Sequence, residues 1–174
     1  MIRTAVAALD EVDRDLTTNP LVADGTIDLD DLEGLADKDV LADWKDNDWL
    51  QALRHEAVFF SDPIDLDFAM LEAFPAAYQH PNPGGRGPRT TAKAIAEKKK
   101  VVLKTNGNPD IYDDQWNDSF AWYPYLFLSR SKPETHLAAL SRITRRNLAH
   151  SAPPELRALI DHVRDVLFPE PDED

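Results

Sequence analysis

The chain of 174 residues contains no cysteine. This absence excludes disulfide bonds, thiolate metal sites and cysteine nucleophiles. No apolar run approaches the roughly 20 residues that a helix needs to span a bilayer, so the sequence predicts no association with a membrane. Residues 1–4 lack the apolar core of a signal peptide. We therefore expect the protein to be cytoplasmic.

Familiar catalytic motifs are also missing. The sequence has no G-x-S-x-G nucleophile, no G-x-x-x-x-G-K-[ST] phosphate loop and no H-E-x-x-H metal motif, and its five histidines are scattered. Residues 84–87, Gly-Gly-Arg-Gly, follow a proline-rich stretch rather than a strand, so we interpret them as a flexible connection. The sequence therefore predicts that this chain does not carry a complete catalytic site of its own.

Charge is strongly unbalanced, with a net value of −13. Such a charge repels phosphate backbones and argues against non-specific DNA binding by the free chain. Acidic residues crowd 10–48 and the tail 170–174, whereas 84–104 and 129–146 are locally basic. The overall charge thus makes a basic face less expected without excluding one.

The spacing of apolar residues predicts a mostly helical chain with about six helices. Ser131 and Glu134 form a capping box at the start of one of them. The aromatic stretch 116–127 predicts a buried helix that is bent or interrupted near Pro124.

The first predicted helix and the last two each have an apolar face, which we expect to be buried. The residues of these faces are Ile2, Val6, Leu9, Val12 and Leu16; Leu137, Leu140 and Ile143; and Leu156, Leu159, Ile160, Val163 and Leu167.

One segment has the character of a strand. Residues 57–60, Ala-Val-Phe-Phe, are apolar and suit a buried strand, and residues 65–67 lead into a helical pattern from Phe68 to Phe74. A lone strand between helices usually belongs to a parallel sheet whose other strands lie elsewhere. The predicted fold class is therefore α/β, mostly helical, with a short parallel sheet.

Asp65 and Asp67 are the first candidate site residues, because they follow this predicted strand at the start of a helix. Hard cations such as Mg²⁺ prefer carboxylate oxygens and take only one or two from the protein. The structural alternative makes Asp65 a helix N-cap and Asp67 a complement to the helix dipole. Spacing alone favours the structural alternative.

Lys132 is the second candidate. It lies in the first turn of a helix, where the dipole disfavours a cation, so it is placed to meet an anion such as a phosphate. Arg130, Arg142, Arg145 and Arg146 could extend a phosphate-facing strip. The alternative for these residues is an ordinary solvated helix face, which is the more common case.

Two segments carry a resemblance to a known family. Residues 58–71, VFFSDPIDLDFAML, resemble the later strand-to-helix acidic motif in the Toprim domain of OLD-family (overcoming lysogenization defect) ATP-dependent endonucleases. Residues 129–136, SRSKPETH, resemble the lysine-bearing helix start near the end of that domain. The resemblance covers roughly residues 45–165, and the two motifs have a similar order and separation.

The resemblance implies a specific chemistry. Enzymes of this family join an ABC-type ATPase to a Toprim nuclease that cuts DNA with divalent metals, Mg²⁺ or Mn²⁺. The metal-binding acidic residue would be Asp67, with Asp65 beside it, and the catalytic lysine would be Lys132. Asp67 stands where the motif often has a glutamate, so its carboxylate reaches one methylene less far.

A second departure concerns completeness. The earlier glutamate and D-x-D elements of the family have no match in residues 1–44, and the ATPase is absent. Two-metal chemistry needs several carboxylates. We therefore expect a C-terminal fragment of an OLD-like endonuclease that binds metal weakly, is inactive without an upstream ATPase and Toprim half, and meets DNA only in the complete enzyme.

The expected organisation is a single partial Toprim-like domain over 1–174. It divides into an acidic helical lead-in at 1–44, the C-terminal Toprim part at 45–168 and an acidic tail at 169–174. A truncated sheet edge would favour self-association. The competing interpretation is a non-enzymatic acidic interaction protein that binds a basic partner. The two interpretations differ on whether Asp65, Asp67 and Lys132 lie near one another.

Overall fold

The computed structural model describes residues 2–34, 48–61, 64–81, 85–102 and 114–169. This part of the chain is mostly helical. No helix in it has both the length and the apolar character needed to cross a membrane. The helices are α1 (Ile2–Asp10), α2 (Pro20–Ala23), α3 (Asp48–His55), α4 (Leu66–Ala73), α5 (Pro75–Tyr78), α6 (Ala92–Val102), α7 (Asn117–Tyr123), α8 (Lys132–Leu140), α9 (Arg145–Ser151) and α10 (Pro154–Leu167).

Two compact units make up the chain. The first contains residues 1–60 and 158–174, and the second contains residues 61–157. The organisation expected from sequence, with divisions after residues 44 and 168, stays a prediction. Residues 35–47 and 170–174, in which one division and most of the acidic tail fall, lie outside the described ranges.

The first unit is built on the apolar faces of α1 and α3, and its buried residues are Ile2, Leu9, Leu16, Ile27, Trp49, Leu50, Ala52 and Leu53. The helix predicted to run to Leu16 ends earlier, at Asp10. Asp13 has a φ of 56°, and the N–H groups of Asp13 and Arg14 donate to the carbonyls of Asp10 and Leu9. This is a Schellman ending, and it leaves Val12 exposed.

The predicted strand at 57–60 is wrong, and so is the α/β class with a parallel sheet, because the described residues contain no strand. The reason lies at the end of α3. Ala57 adopts a φ of 62°, its N–H donates to Arg54 O, and the N–H of Val58 donates to Leu53 O. These bonds are the pair that a Schellman motif uses. The segment therefore terminates a helix, and Val58 and Phe60 pack on the first unit's core.

Aromatic residues dominate the core of the second unit. Phe68 on α4 is fully buried, and its ring lies 5.3 Å from that of Phe120 and 5.7 Å from that of Tyr123. After Tyr123 the chain continues as a π-helical stretch from Pro124 to Leu128, since proline disrupts regular α-helical hydrogen bonding. The predicted buried aromatic helix with an interruption at Pro124 is confirmed.

Several apolar residues that were expected to be buried are exposed instead. In α8 the buried position is Ala139, whereas Leu137 and Leu140 face solvent. In α10 the exposed residues of the predicted face are Leu159, Ile160, Val163 and Leu167. Helical periodicity identified an apolar face in each case but could not say whether another element covers it. Self-association stays a prediction.

Ala57 provides a test of the helix ending that replaces the strand. An L-residue in the left-handed region is strained by about 1 kcal/mol, and glycine removes that strain. We expect Ala57→Gly to raise the free energy of unfolding by up to about 1 kcal/mol, less the cost of a more flexible unfolded chain. Urea unfolding measures the difference.

Ala52→Gly in the same helix is the matched control. Ala52 is buried within α3, so glycine there should destabilise by about 1 kcal/mol or more. Destabilisation by Ala57→Gly would contradict the Schellman ending and would favour an extended conformation at this position.

Candidate functional site at the starts of α4 and α8

Asp65 begins α4 as its N-cap. Its backbone is extended, and its Oδ1 accepts a hydrogen bond of 2.9 Å from the N–H of Phe68. Its other oxygen, Oδ2, accepts from the hydroxyl of Tyr123. The N-cap interpretation of Asp65 is therefore confirmed. As a metal ligand Asp65 stays a prediction, and it would have to coordinate while keeping these two bonds.

The start of α8 shows the Ser131 half of the predicted capping box. Ser131 is the N-cap, and its side chain accepts from the N–H of Glu134. Lys132 is the first helical residue, and His136 follows four residues later. Residues four apart lie on the same face of a helix, so Lys132 and His136 project from α8 together.

Asp67 meets both of these side chains. Its Oδ2 forms an ion pair with Nζ of Lys132, and its Oδ1 lies 2.8 Å from Nε2 of His136. The Asp67 side chain is 13% exposed and that of Lys132 is 48% exposed. The structure thus brings together two residues 65 positions apart, which the sequence singled out independently. Asp65 lies two residues from Asp67, and its negative charge helps to raise the pKa of Lys132.

The ion pair is reflected in the electrostatics of both partners. Burial by itself raises the pKa of Asp67, but the hydrogen bonds from Lys132 and His136, together with the positive charge of Lys132, outweigh it, so the net pKa lies below its usual value. The hydrogen bond to Asp67 raises the pKa of Lys132. Near neutral pH, Asp67 is a carboxylate and Lys132 an ammonium ion.

Two tyrosines extend this polar cluster into the core. The hydroxyl of Tyr78, at the end of α5, lies 2.6 Å from Nδ1 of His136. Burial, followed by the charge of Asp67, raises the pKa of Tyr78 to about 12. Burial and the bond to Asp65 likewise raise the pKa of Tyr123. Both phenols therefore keep their protons at neutral pH.

Sequence reasoning missed His136, Tyr78 and Tyr123. A signal for His136 was present, since it lies four residues after Lys132 and so shares its helix face. The two tyrosines gave no such signal, because they read as ordinary core aromatics and only the packing brings their hydroxyls to the carboxylates.

The four arginines that could form a phosphate-facing strip lie in different environments. The guanidinium of Arg142 donates to the carbonyls of Ala77 and Ala138, so it links α8 to α5. The guanidinium of Arg130 stacks 4.0 Å above the ring of Tyr125. Arg145 and Arg146 are exposed on α9. Arg142 therefore has a structural role, and the phosphate-facing role of the other three stays a prediction.

One residue of the cluster, Asp67, has the carboxylate oxygens that a hard cation prefers. Asp67 already holds a cation, the Lys132 ammonium, on Oδ2. Among the described residues there is no group of three or more His, Asp or Glu that could hold a metal ion together. Asp67 thus fits a magnesium or manganese ion as one ligand, and further ligands would have to come from outside this part of the chain.

A first prediction for this site distinguishes the two interactions of Asp65, which are the N-cap bond from Phe68 and the bond from the Tyr123 hydroxyl. Asp65→Ala loses both interactions, and we expect it to lower the free energy of unfolding by about 0.5–2 kcal/mol. Asp65→Asn keeps an acceptor for the cap and should cost less. Tyr123→Phe removes only the hydroxyl bond, at a cost of about 1 kcal/mol. Equal losses in all three variants, measured by urea unfolding, would contradict this division.

A second prediction concerns acid. Because the folded-state pKa of Asp67 is depressed, its ionisation stabilises the fold above the unfolded value of about 4. That contribution is lost as pH falls through the lower folded value. We expect Asp67→Asn to make stability less dependent on pH below about 4, as measured by urea unfolding across a pH series.

Lys132→Met is the companion variant. It should reduce the same dependence to a smaller extent, because His136 still donates to Asp67. An unchanged acid profile in both variants would show that Asp67 is not held by these partners in solution.

Comparison with protein-family models, with curated proteins and with solved structures gave no match to this chain.

Proposed function

We propose that this chain is part of an OLD-like, divalent-metal-dependent DNA endonuclease, in which Asp67 binds the metal ion and Lys132 neutralises charge on the phosphoryl group. The observation that carries the proposal is the pairing of Asp67 with Lys132. The family resemblance assigns these residues to one site, and 65 positions of sequence separate them. An arrangement with the two on opposite faces would have ended the proposal.

The chemistry follows from the two groups. A magnesium or manganese ion bound at Asp67 would polarise a phosphoryl oxygen and lower the pKa of a bound water. Lys132 offers an ammonium that can pair with a phosphate oxygen and stabilise negative charge that develops during cleavage. Because Lys132 is half exposed, it can leave Asp67 for an anion without unfolding α8.

The proposed activity requires a further component. Two-metal phosphoryl chemistry uses several carboxylates, and the described residues supply Asp67 with Asp65 beside it. An upstream half with the ATPase would provide the other ligands, and the DNA would bind only to the complete enzyme. The cytoplasmic location expected from the sequence is part of this proposal.

Reconstitution tests the proposal. We expect the purified chain to show no cleavage of DNA with Mg²⁺ or Mn²⁺, and cleavage to appear when an OLD-type upstream half is added. Asp67→Ala or Lys132→Ala should then lower the rate by about 100-fold or more. Lys98→Ala, at an exposed position on α6, is the matched control and should leave the rate unchanged.

Two results would oppose the proposal in different ways. Manganese-dependent cleavage by the isolated chain would show that the chain is complete. Full activity of a folded, reconstituted Asp67→Ala variant would show that the site lies elsewhere.

A non-enzymatic interaction protein is the second candidate, and the exposure of the acidic segment favours it. The described acidic residues of this segment are all exposed, namely Asp10, Glu11, Asp13, Asp15, Asp24, Asp28, Asp30, Asp31, Glu33 and Asp48. Such a surface suits a basic partner. Binding of that kind would weaken with salt and with Asp28→Lys and Asp30→Lys, and it would be indifferent to Lys132→Ala. Nuclease activity would respond to Lys132→Ala.

A further inference from the structure

We propose that His136 is a positioning residue, held by Asp67 and Tyr78 as the tautomer with its proton on Nε2, and that it fixes which oxygen of Asp67 faces a cation. The inference deepens the proposed function, because the carboxylate that is positioned is the proposed metal-binding group. It rests on the hydrogen-bonded series Tyr78, His136, Asp67 and Lys132, in which each side chain contacts the next.

The direction of each hydrogen bond follows from what its groups can donate. An ionised carboxylate only accepts, so Nε2 of His136 must carry the proton that it shares with Asp67. Nδ1 of a neutral imidazole is then an acceptor, and the Tyr78 hydroxyl, 2.6 Å away, donates to it. With this assignment, each of the three hydrogen bonds in the series joins one donor to one acceptor.

Packing holds the ring in this orientation. The His136 ring lies 5.2 Å from the ring of Phe127 and 5.6 Å from that of Tyr78, centroid to centroid. Both aromatic residues are buried. Turning the imidazole over would put ring carbons where its two nitrogens now bond, and it would leave the buried Tyr78 hydroxyl without its acceptor, which is costly.

As a consequence, the two carboxylate oxygens of Asp67 have different partners. Oδ1 is bound by His136, and Oδ2 is bound by Lys132. A carboxylate that is fixed at one oxygen cannot rotate freely about its terminal bond. His136 therefore presents Oδ2 to the side from which a cation approaches, whether that cation is the Lys132 ammonium or a metal ion.

Nitrogen NMR of the histidine-labelled protein tests the tautomer. We expect His136 to show a protonated Nε2 and an unprotonated Nδ1 at neutral pH. In Tyr78→Phe we expect the same tautomer, because Nε2 still donates to Asp67, together with a shifted signal for Nδ1, which has lost its donor. A wild-type proton on Nδ1, or protons on both nitrogens, would overturn the proposal whatever the variant does.

Conservative replacements of His136 test the positioning role. The amide nitrogen of glutamine can take the place of Nε2, whereas that of asparagine matches Nδ1. We expect His136→Gln to leave the rate of acylation of Lys132, followed by mass spectrometry, near that of the wild type. His136→Asn should raise it severalfold, because Asp67 is free to turn away from the ammonium.

His150→Asn is the control, since His150 is an exposed residue of α9 outside this series and should leave Lys132 unchanged. Equal labelling of Lys132 in the wild type, His136→Gln and His136→Asn would overturn the positioning role. These measurements involve no metal, DNA or cleavage. Their outcome is therefore independent of whether the reconstituted enzyme cuts DNA.

Discussion

The contact between Asp67 and Lys132 joins the first turn of α4 to the first turn of α8, and the polar part of the second unit is arranged around it. Asp67 suits the positive end of its own helix dipole, whereas Lys132 opposes the dipole of α8. Placing the carboxylate against the ammonium offsets that unfavourable position. Because Lys132 is about half exposed, the pair contributes on the order of 1 kcal/mol or less to stability. Its importance lies in orientation.

The surroundings make this contact well defined. On one side Phe68, Tyr123 and Phe127 belong to the buried aromatic core, and the Asp67 side chain is only 13% exposed. On the other side the ammonium of Lys132 reaches solvent. The hydroxyls of Tyr78 and Tyr123 lie between this core and the polar cluster. The Tyr78 hydroxyl bonds to His136, and the Tyr123 hydroxyl donates to Asp65. A polar cluster at the edge of an apolar core is rigid on its inner side and accessible on its outer side, which is the arrangement that binding an anion or a cation requires.

The wrong prediction of a strand at 57–60 shows that an apolar pattern along the chain does not by itself decide the secondary structure. Residues 57–60 are apolar, and strand and buried-loop segments share that property. What decides between them is the backbone of Ala57, whose left-handed conformation closes α3 and uses the N–H of Val58. Alanine gives no warning of this, because helices more commonly end on glycine at that position. Val58 and Phe60 are only partly buried, and they pack against the first unit's core and not in a sheet.

Several features were determined by the sequence alone because they depend on neighbours along the chain. The Ser131 cap, the Asp65 cap, the break at Pro124 and the helical character all follow from contacts within a few residues. Tertiary structure decided the rest. Leu159 and Val163 have the spacing of a buried face and yet are exposed, since burial depends on a covering element and not on periodicity. The joining of Asp67 to Lys132 and His136, and of His136 to Tyr78, likewise depends on how α4, α5 and α8 pack. Hydrogen bonds between residues almost 70 positions apart exist only once the chain has folded.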